Sequence, residues 1–417
     1  MNTVESDIRD PALADSGKRR IEWAFQSMPV LQSIRKQFIK AQPLAGLKVA
    51  ACLPVTTETA NLMVTLRDGG AQLFLSASNP LATQDDVAAS LVKDFGISTF
   101  AQKGEPSTLS PLIDCHPDLA VDNGCQLAQA LHSAERAAGE VIGGTEESVQ
   151  AVSHLKALVA SGTLAYPIIA VHDAMTRHFF DNRYGTGQST IDGVLRATNI
   201  LLAGMNVVVG GYGWCGRGVA SRARGLGANV IVTEVDPLKA LEALMDGYRV
   251  MSMNEAAPLG DVFITVTGNK SVIAREHFDK MKSGAILCNS GHFNVEIDLD
   301  TLAKLASSRR MMREYVEEFA LRDGRRLYVL GEGRLINLAS GEGNPASVMD
   351  MSFANQALCL QYLVANRGKL EKGVFPVPDA IDREVARMKL DSMGVKIDRL
   401  TPEQERYLGG RSAGGGV

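Results

Sequence analysis

The chain has no run of about 18 consecutive apolar residues, so no membrane-spanning helix is expected. Its opening, MNTVESDIRDPALADSGKRR, is polar and lacks the apolar centre of a secretory signal. It has no lysine-arginine block, and its formal net charge is −4, which argues against nucleic acid or an anionic membrane as a main partner. The cysteines, at 52, 115, 125, 215, 288 and 359, form no CxxC pair and no grouping with histidine. They read as free thiols of a cytoplasmic protein, most of them packing residues, and no metal is expected. No segment repeats at a fixed period.

What is present is the composition of a globular protein, 45% hydrophobic and 22% charged. At 417 residues the chain exceeds one ordinary core, so two domains are expected. The segment of about 1–45 reads as amphipathic helix, with Ile21, Phe25, Val30 and Leu31 at helical spacing. Strand-like LKVAACLPV, AQLFLSASN, STFAQK, DLAVDNG and YPIIAVHD then alternate with helical stretches. A second series opens near 204 with MNVVVGGYG, NVIVTEVD, DVFITVTGN, GAILCNSG and RLYVLGEG. Such alternation predicts an α/β protein of two doubly wound, Rossmann-like parallel-sheet domains with a cleft between them. The terminal SAGGGV reads as a frayed end.

Gly211, Gly213 and Gly216 form GxGxxG between a strand and a helix. Glycines there let the turn close and let backbone amides approach a pyrophosphate at the helix N-terminus. Glu234 ends the next strand, where a carboxylate accepts from a ribose 2′-hydroxyl and repels a 2′-phosphate. A dinucleotide is expected, and NAD rather than NADP.

The motifs TTETANLM, NPLATQDD, GTEES, HDAMTRHFFDNRYG, STIDGVLRATN, CNSGHFNVEID, GEGRLINL and NPASVM, with the glycine turn, carry a resemblance over nearly the whole chain. It resembles adenosylhomocysteinase. The resemblance implies a substrate domain of 1–182 completed by 345–375, an NAD domain of 183–344, and a tail of 376–417 for contacts in a homo-oligomer, a tetramer or dimer. The tail ends in GGRSAGGGV, without the lysine and tyrosine that many members carry there to reach a neighbour's NAD. The chemistry implied is oxidation of a nucleoside 3′-hydroxyl by tightly held NAD, loss of the acidified 4′-proton, elimination of the 5′-substituent, water addition at C5′ and return of the hydride.

Carried over residue by residue, Thr56, Glu58 and Gln84 match positions around adenine. Thr56 and Glu58 would equally suit the first turn of a helix. Ser148, Gln150, Asn182, Thr267, Asn269, Asn289, His292 and Asn337 match dinucleotide-side positions. Lys239 stands where asparagine is usual near the ribose, and Val149 lies within an altered threonine triplet. The reacting end departs most. Pro54 replaces a histidine that handles water or the leaving group, and Asn123 its aspartate neighbour; neither can act as a base at neutral pH. Asn344 replaces a histidine near the base and the domain closure. Arg177 replaces a proton-transferring lysine, and a guanidinium can orient or stabilise an alkoxide but not abstract a proton.

Glu147, Asp181 and His292 are kept as catalytic candidates. His172, where the family has asparagine, is read either as the replacement base or as a hydrogen-bonded strand-end histidine. Three functions stand open: an ordinary S-adenosylhomocysteine hydrolase, a non-catalytic NAD- and nucleoside-binding protein, or a specialised dehydratase. The third is preferred at this point. It would eliminate without water readdition and give a 4′,5′-unsaturated adenine nucleoside of the angustmycin type, with His292 or Glu147 protonating the departing oxygen.

Overall fold

The structure, a computed structural model, describes residues 5–134 and 138–411, so the SAGGGV end lies outside the described residues. Two eight-stranded sheets form its two halves. The first contains β1 (Asp7–Ile8), β2 (Lys48–Leu53), β3 (Gln72–Ala77), β4 (Ser98–Ala101), β5 (Leu119–Asp122), β6 (Gly143–Glu146) and β7 (Ile168–Ala170). The second contains β8 (Asn206–Gly210), β9 (Asn229–Thr233), β10 (Arg249–Val250), β11 (Val262–Thr265), β12 (Ile286–Asn289), β13 (Ala306–Arg313), β14 (Val316–Leu321) and β15 (Arg326–Leu330). The last strand, β16 (Val374–Pro376), returns to the first sheet and pairs in parallel with β7.

The strand orders are β1-β4-β3-β2-β5-β6-β7-β16 and β10-β9-β8-β11-β12-β15-β14-β13. Renumbered within each half, six strands of either sheet follow the order 3-2-1-4-5-6 of a doubly wound fold. In such a fold the direction of winding reverses between the strands ranked 1 and 4, opening a crevice at their carboxyl ends. Here those pairs are β2 with β5 and β8 with β11. Pro54 follows β2 and Asn123 follows β5, while Gly211 follows β8 and Val266 follows β11.

Four buried clusters, two in each half, cover the faces of the sheets. Valine runs such as Val207–Val209 are buried on both faces, as parallel central strands require. The helix expected over about 1–45 is in fact two, Ala14–Gln26 and Pro29–Ala41. Pro29 lacks the amide needed to continue the first helix and instead opens the second. Helix Asp379–Ser392, within the stretch read as an oligomer tail, buries Val385 in the first domain's core. Its Asp382 accepts from the Met175 and Thr176 amides at 2.7 and 3.1 Å, bracing the segment that leads to Arg177. Among the described residues no helix is long and apolar enough to cross a membrane.

Candidate active site

A cavity of about 550 Å³ lies between the two sheets' crevices, walled by Pro54, Asn123 and Glu147 on one side and Gly213, Thr267 and His292 on the other. At one end, Thr56 caps helix Thr57–Asp68 by accepting from the Thr59 amide at 3.4 Å, while still lining the cavity. The helix-cap and ligand-facing readings of Thr56 are therefore compatible. Glu58 is buried in that first turn and takes a 2.9 Å hydrogen bond from the Thr57 hydroxyl. Burial raises its pKa, with the neighbouring threonines opposing. Gln84 lies elsewhere. Its side-chain oxygen accepts from Arg20 at 2.9 Å in an adjoining cavity, which the preceding Leu81, Ala82 and Thr83 also line.

The reacting end is built on a wide π-type helix, Arg177–Gly185. This geometry is rare and recurs at functional sites. It puts Arg177 and Asp181 on the same wall, their Nε and Oδ2 3.4 Å apart, with Arg177 Nη1 3.6 Å from Glu147 Oε1. Burial disfavours the Arg177 charge, but Asp181 and Glu147 outweigh it and leave the guanidinium firmly protonated. Arg177 Nε and Nη1 are buried and make no hydrogen bond of their own, facing only these two carboxylates at ion-pair distance.

Glu147 accepts from Asn123 Nδ2 at 3.0 Å and from Gln356 Nε2 at 2.8 Å. Asp181 accepts from Ser352 at 2.8 Å and from the Asn344 amide. Asn344 also accepts from Ser189 at 2.6 Å, so it ties the π-type helix to the helix that follows it. Ser352 and Gln356 were missed in the sequence. They lie four apart on helix Ala346–Ala365, which also carries Asp350 and Asn355, so spacing alone did not single them out.

His172 lines the cavity edge-on to His178, ring centroids 4.9 Å apart. Burial, then the charge of Arg177, pulls its pKa down to about 3, so it is a neutral and weak acceptor. His292 is lowered to about 4 by burial and then Arg177. At neutral pH it has no imidazolium proton to give, which weakens its expected role as acid to the departing oxygen; a neutral ring N–H remains. The ring reaches across the cleft so closely that a Cβ on Gly124 would sit 2.6 Å from its Nε2.

The glycine turn is suited to a pyrophosphate. Gly211 has φ +105°, and a Cβ on Gly216 would collide with the Gly211 carbonyl oxygen. Gly213, at the N-cap of helix Trp214–Gly225, would meet nothing within 4 Å and borders the cavity. Glu234 braces the turn, accepting from the Tyr212 amide at 2.7 Å. Asn337 Oδ1 is buried without a partner at the cavity wall, an acceptor that the amide of a nicotinamide would satisfy. Ser148 and Asn182 also line the cavity, as expected. The Gln150 and Val149 side chains lie outside the described set.

Asn289 and Asn269, expected on the dinucleotide side, do not line the cavity. Asn289 is fully buried beneath the SGHF loop, accepting from the Gly291 amide and donating to the Phe293 and Gly333 carbonyls. Asn269 is exposed and caps its own turn. Glu296, missed in the sequence, supports Thr267 and Gly268 from below, accepting from their amides at 2.9 and 2.8 Å.

The S-adenosyl-L-homocysteine hydrolase family model matches residues 5–140, and the model of that family's NAD binding domain matches 182–343. An adenosylhomocysteinase of Thermosynechococcus vestitus is 57% identical, covering 99% of this chain and 97% of its own. Those of Aquifex aeolicus and Saccharolobus solfataricus are 59% and 54% identical, covering 97% and 96% of this chain and 98% and 97% of their own. Among solved structures, a dipicolinate synthase chain from Bacillus halodurans overlays at TM-score 0.51 with 14% identity, covering 78% of this chain and 99% of its own, a likeness of fold alone. With both family models matched and full-length relatives above half identity, the chain belongs to the NAD-dependent adenosylhomocysteinase family.

Proposed function

We propose that the protein oxidises the 3′-hydroxyl of an adenine nucleoside and eliminates its 5′-substituent without returning water to C5′. The observation that carries this reading is the pair Pro54 and Asn123 at the reacting end, neither of which can activate a water there. Bound NAD supplies hydride acceptance and return at the 3′-carbon. Thr56 and Glu58 hold the base at the other end. Arg177, at the cavity wall, stabilises the alkoxide at C3′ and so lowers the hydroxyl's own pKa as its proton leaves for His172, a weak acceptor.

With a ketone at C3′ the C4′–H bond becomes acidic, and Glu147 takes that proton. The C4′–H electrons form the new C4′–C5′ double bond as the C5′–O bond breaks. Glu147 returns the proton to the departing oxygen, and His292 steadies that oxygen through a neutral N–H. The nucleoside loses one water. A homo-oligomer belongs to the same proposal; Leu238, Leu241, Leu244 and Met245 form an exposed apolar face beside the cofactor turn.

A second reading, hydrolysis of S-adenosylhomocysteine, is favoured by the identity of 57–59% to relatives named for that activity, and the comparisons by themselves speak for it over the first. Incubating the purified protein with S-adenosylhomocysteine, adenosine and a ketose-derived adenine nucleoside, with mass spectrometry of the products, separates the two. A nucleoside lighter by one water supports the dehydratase, and homocysteine release supports the hydrolase. No turnover removes both.

A further inference from the structure

We propose that Glu146, together with Asp122, is a positioning residue for the reacting end, a role that rests on the reaction reading above. The two carboxylates are register partners, Asp122 ending β5 and Glu146 ending β6, and are 3% and 1% exposed. Neither lines the cavity. Instead they gather backbone amides. Glu146 Oε1 accepts from Gly124 at 3.0 Å and Ser148 at 2.6 Å, and its Oε2 from Cys125 at 2.9 Å. Asp122 accepts from Asn123 at 2.9 Å and from Ala128 at 2.8 Å.

Four amides from two loops, and that of Ala128 in helix Gln126–Ser133, thus converge on two buried acids. One loop carries Asn123, the partner of Glu147, and Gly124, which faces His292. The other carries Ser148, next to Glu147 in the chain. Two buried carboxylates side by side are costly: burial raises both pKa values, and the charge of Asp122 raises that of Glu146 further. An arrangement that costly in an ordinary strand end would be replaced by glutamine or serine caps at little loss. Here Glu146 Oε1 alone joins the two loops through Gly124 and Ser148, and its second oxygen is needed for the Cys125 amide, so only a carboxylate satisfies all three. Glutamine offers one oxygen, and its NH₂ would confront the Cys125 amide, leaving that amide buried and unpaired. The loop would shift at Asn123 and Gly124, while Thr56 and Glu58 at the adenine end would stay in place.

The test uses the full-length protein with its NAD. Glu146→Gln is expected to keep bound NAD and the nucleoside KM within about twofold while kcat falls about 10- to 100-fold, the cost of one unsatisfied buried amide. An unchanged kcat, or a KM rise without a kcat fall, overturns the proposal. Should the variant not fold, hydrogen exchange of the wild type decides. The Gly124, Cys125 and Ser148 amides are expected to be as protected as strand amides, and fast exchange at these loop positions overturns the idea. If the wild type itself turns over no adenine nucleoside, the reaction reading fails, and the exchange result still judges the positioning alone.

Discussion

Asn123 Nδ2 donates to Glu147 Oε2 at 3.0 Å, so this reacting-end carboxylate faces a neutral amide. Asn123→Asp would place a second carboxylate there. Like charges that close cannot both ionise freely, so one must hold a proton. The expected result is an added ionisation in the pH–rate profile between about pH 5 and 8 and a roughly tenfold lower kcat at neutral pH. An unaltered profile would show that Glu147 does not handle the proton.

Arg177 is the only cation beside Glu147 and Asp181 among the described ion pairs. Arg177→Met would leave two buried carboxylates without it, at a cost of about 3–5 kcal/mol read as a fall in the denaturant midpoint. Arg177→Lys should recover most of that stability, since a point charge suffices for the ion pairs even though the fork geometry is lost.

His172 titrates far below neutrality. A histidine lowered to about 3 is already neutral at pH 5 and stays so at pH 8, so the oxidation step should show no histidine ionisation across that range. His172→Gln should suppress nicotinamide reduction by about 100-fold or more if His172 receives the 3′-proton. Reduction at the wild-type rate would assign the histidine to packing against His178.

Gly124→Ala sets a Cβ 2.6 Å from His292 Nε2 at a residue with φ +105°. Bound NAD should be retained, because the glycine turn is untouched, while turnover drops at least tenfold as the ring is pushed from the ribose. Gly216→Ala does the reverse. Its Cβ would collide with the Gly211 carbonyl, and the protein should purify without NAD.

The sequence was most legible where chemistry and period coincide. The valine-rich β8 and its glycine turn announce both a buried parallel strand and a pyrophosphate site. β6 was invisible because it reads GGTE, with no apolar residue. Gly143 and Gly144 are there because helix Ala346–Ala365 and β5 press on them; a Cβ on Gly143 would lie 2.7 Å from Leu363. The hairpin β13–β14 was also missed, since its outer strand, SSRRMMR, is exposed and carries no alternation to read. Site residues at strand ends followed from family register. Those acting from behind, Glu146, Glu296, Ser352 and Gln356, did not, because their partners are backbone amides or distant side chains that no spacing reveals.

The most direct test is rapid mixing of the NAD-loaded protein with an adenine nucleoside, following the near-ultraviolet band of reduced nicotinamide while the products are weighed by mass spectrometry. A transient rise and decay of that band, with a nucleoside lighter by one water accumulating as it decays, is the predicted result. Homocysteine released from S-adenosylhomocysteine, with no dehydrated nucleoside from any substrate, would contradict elimination without water return.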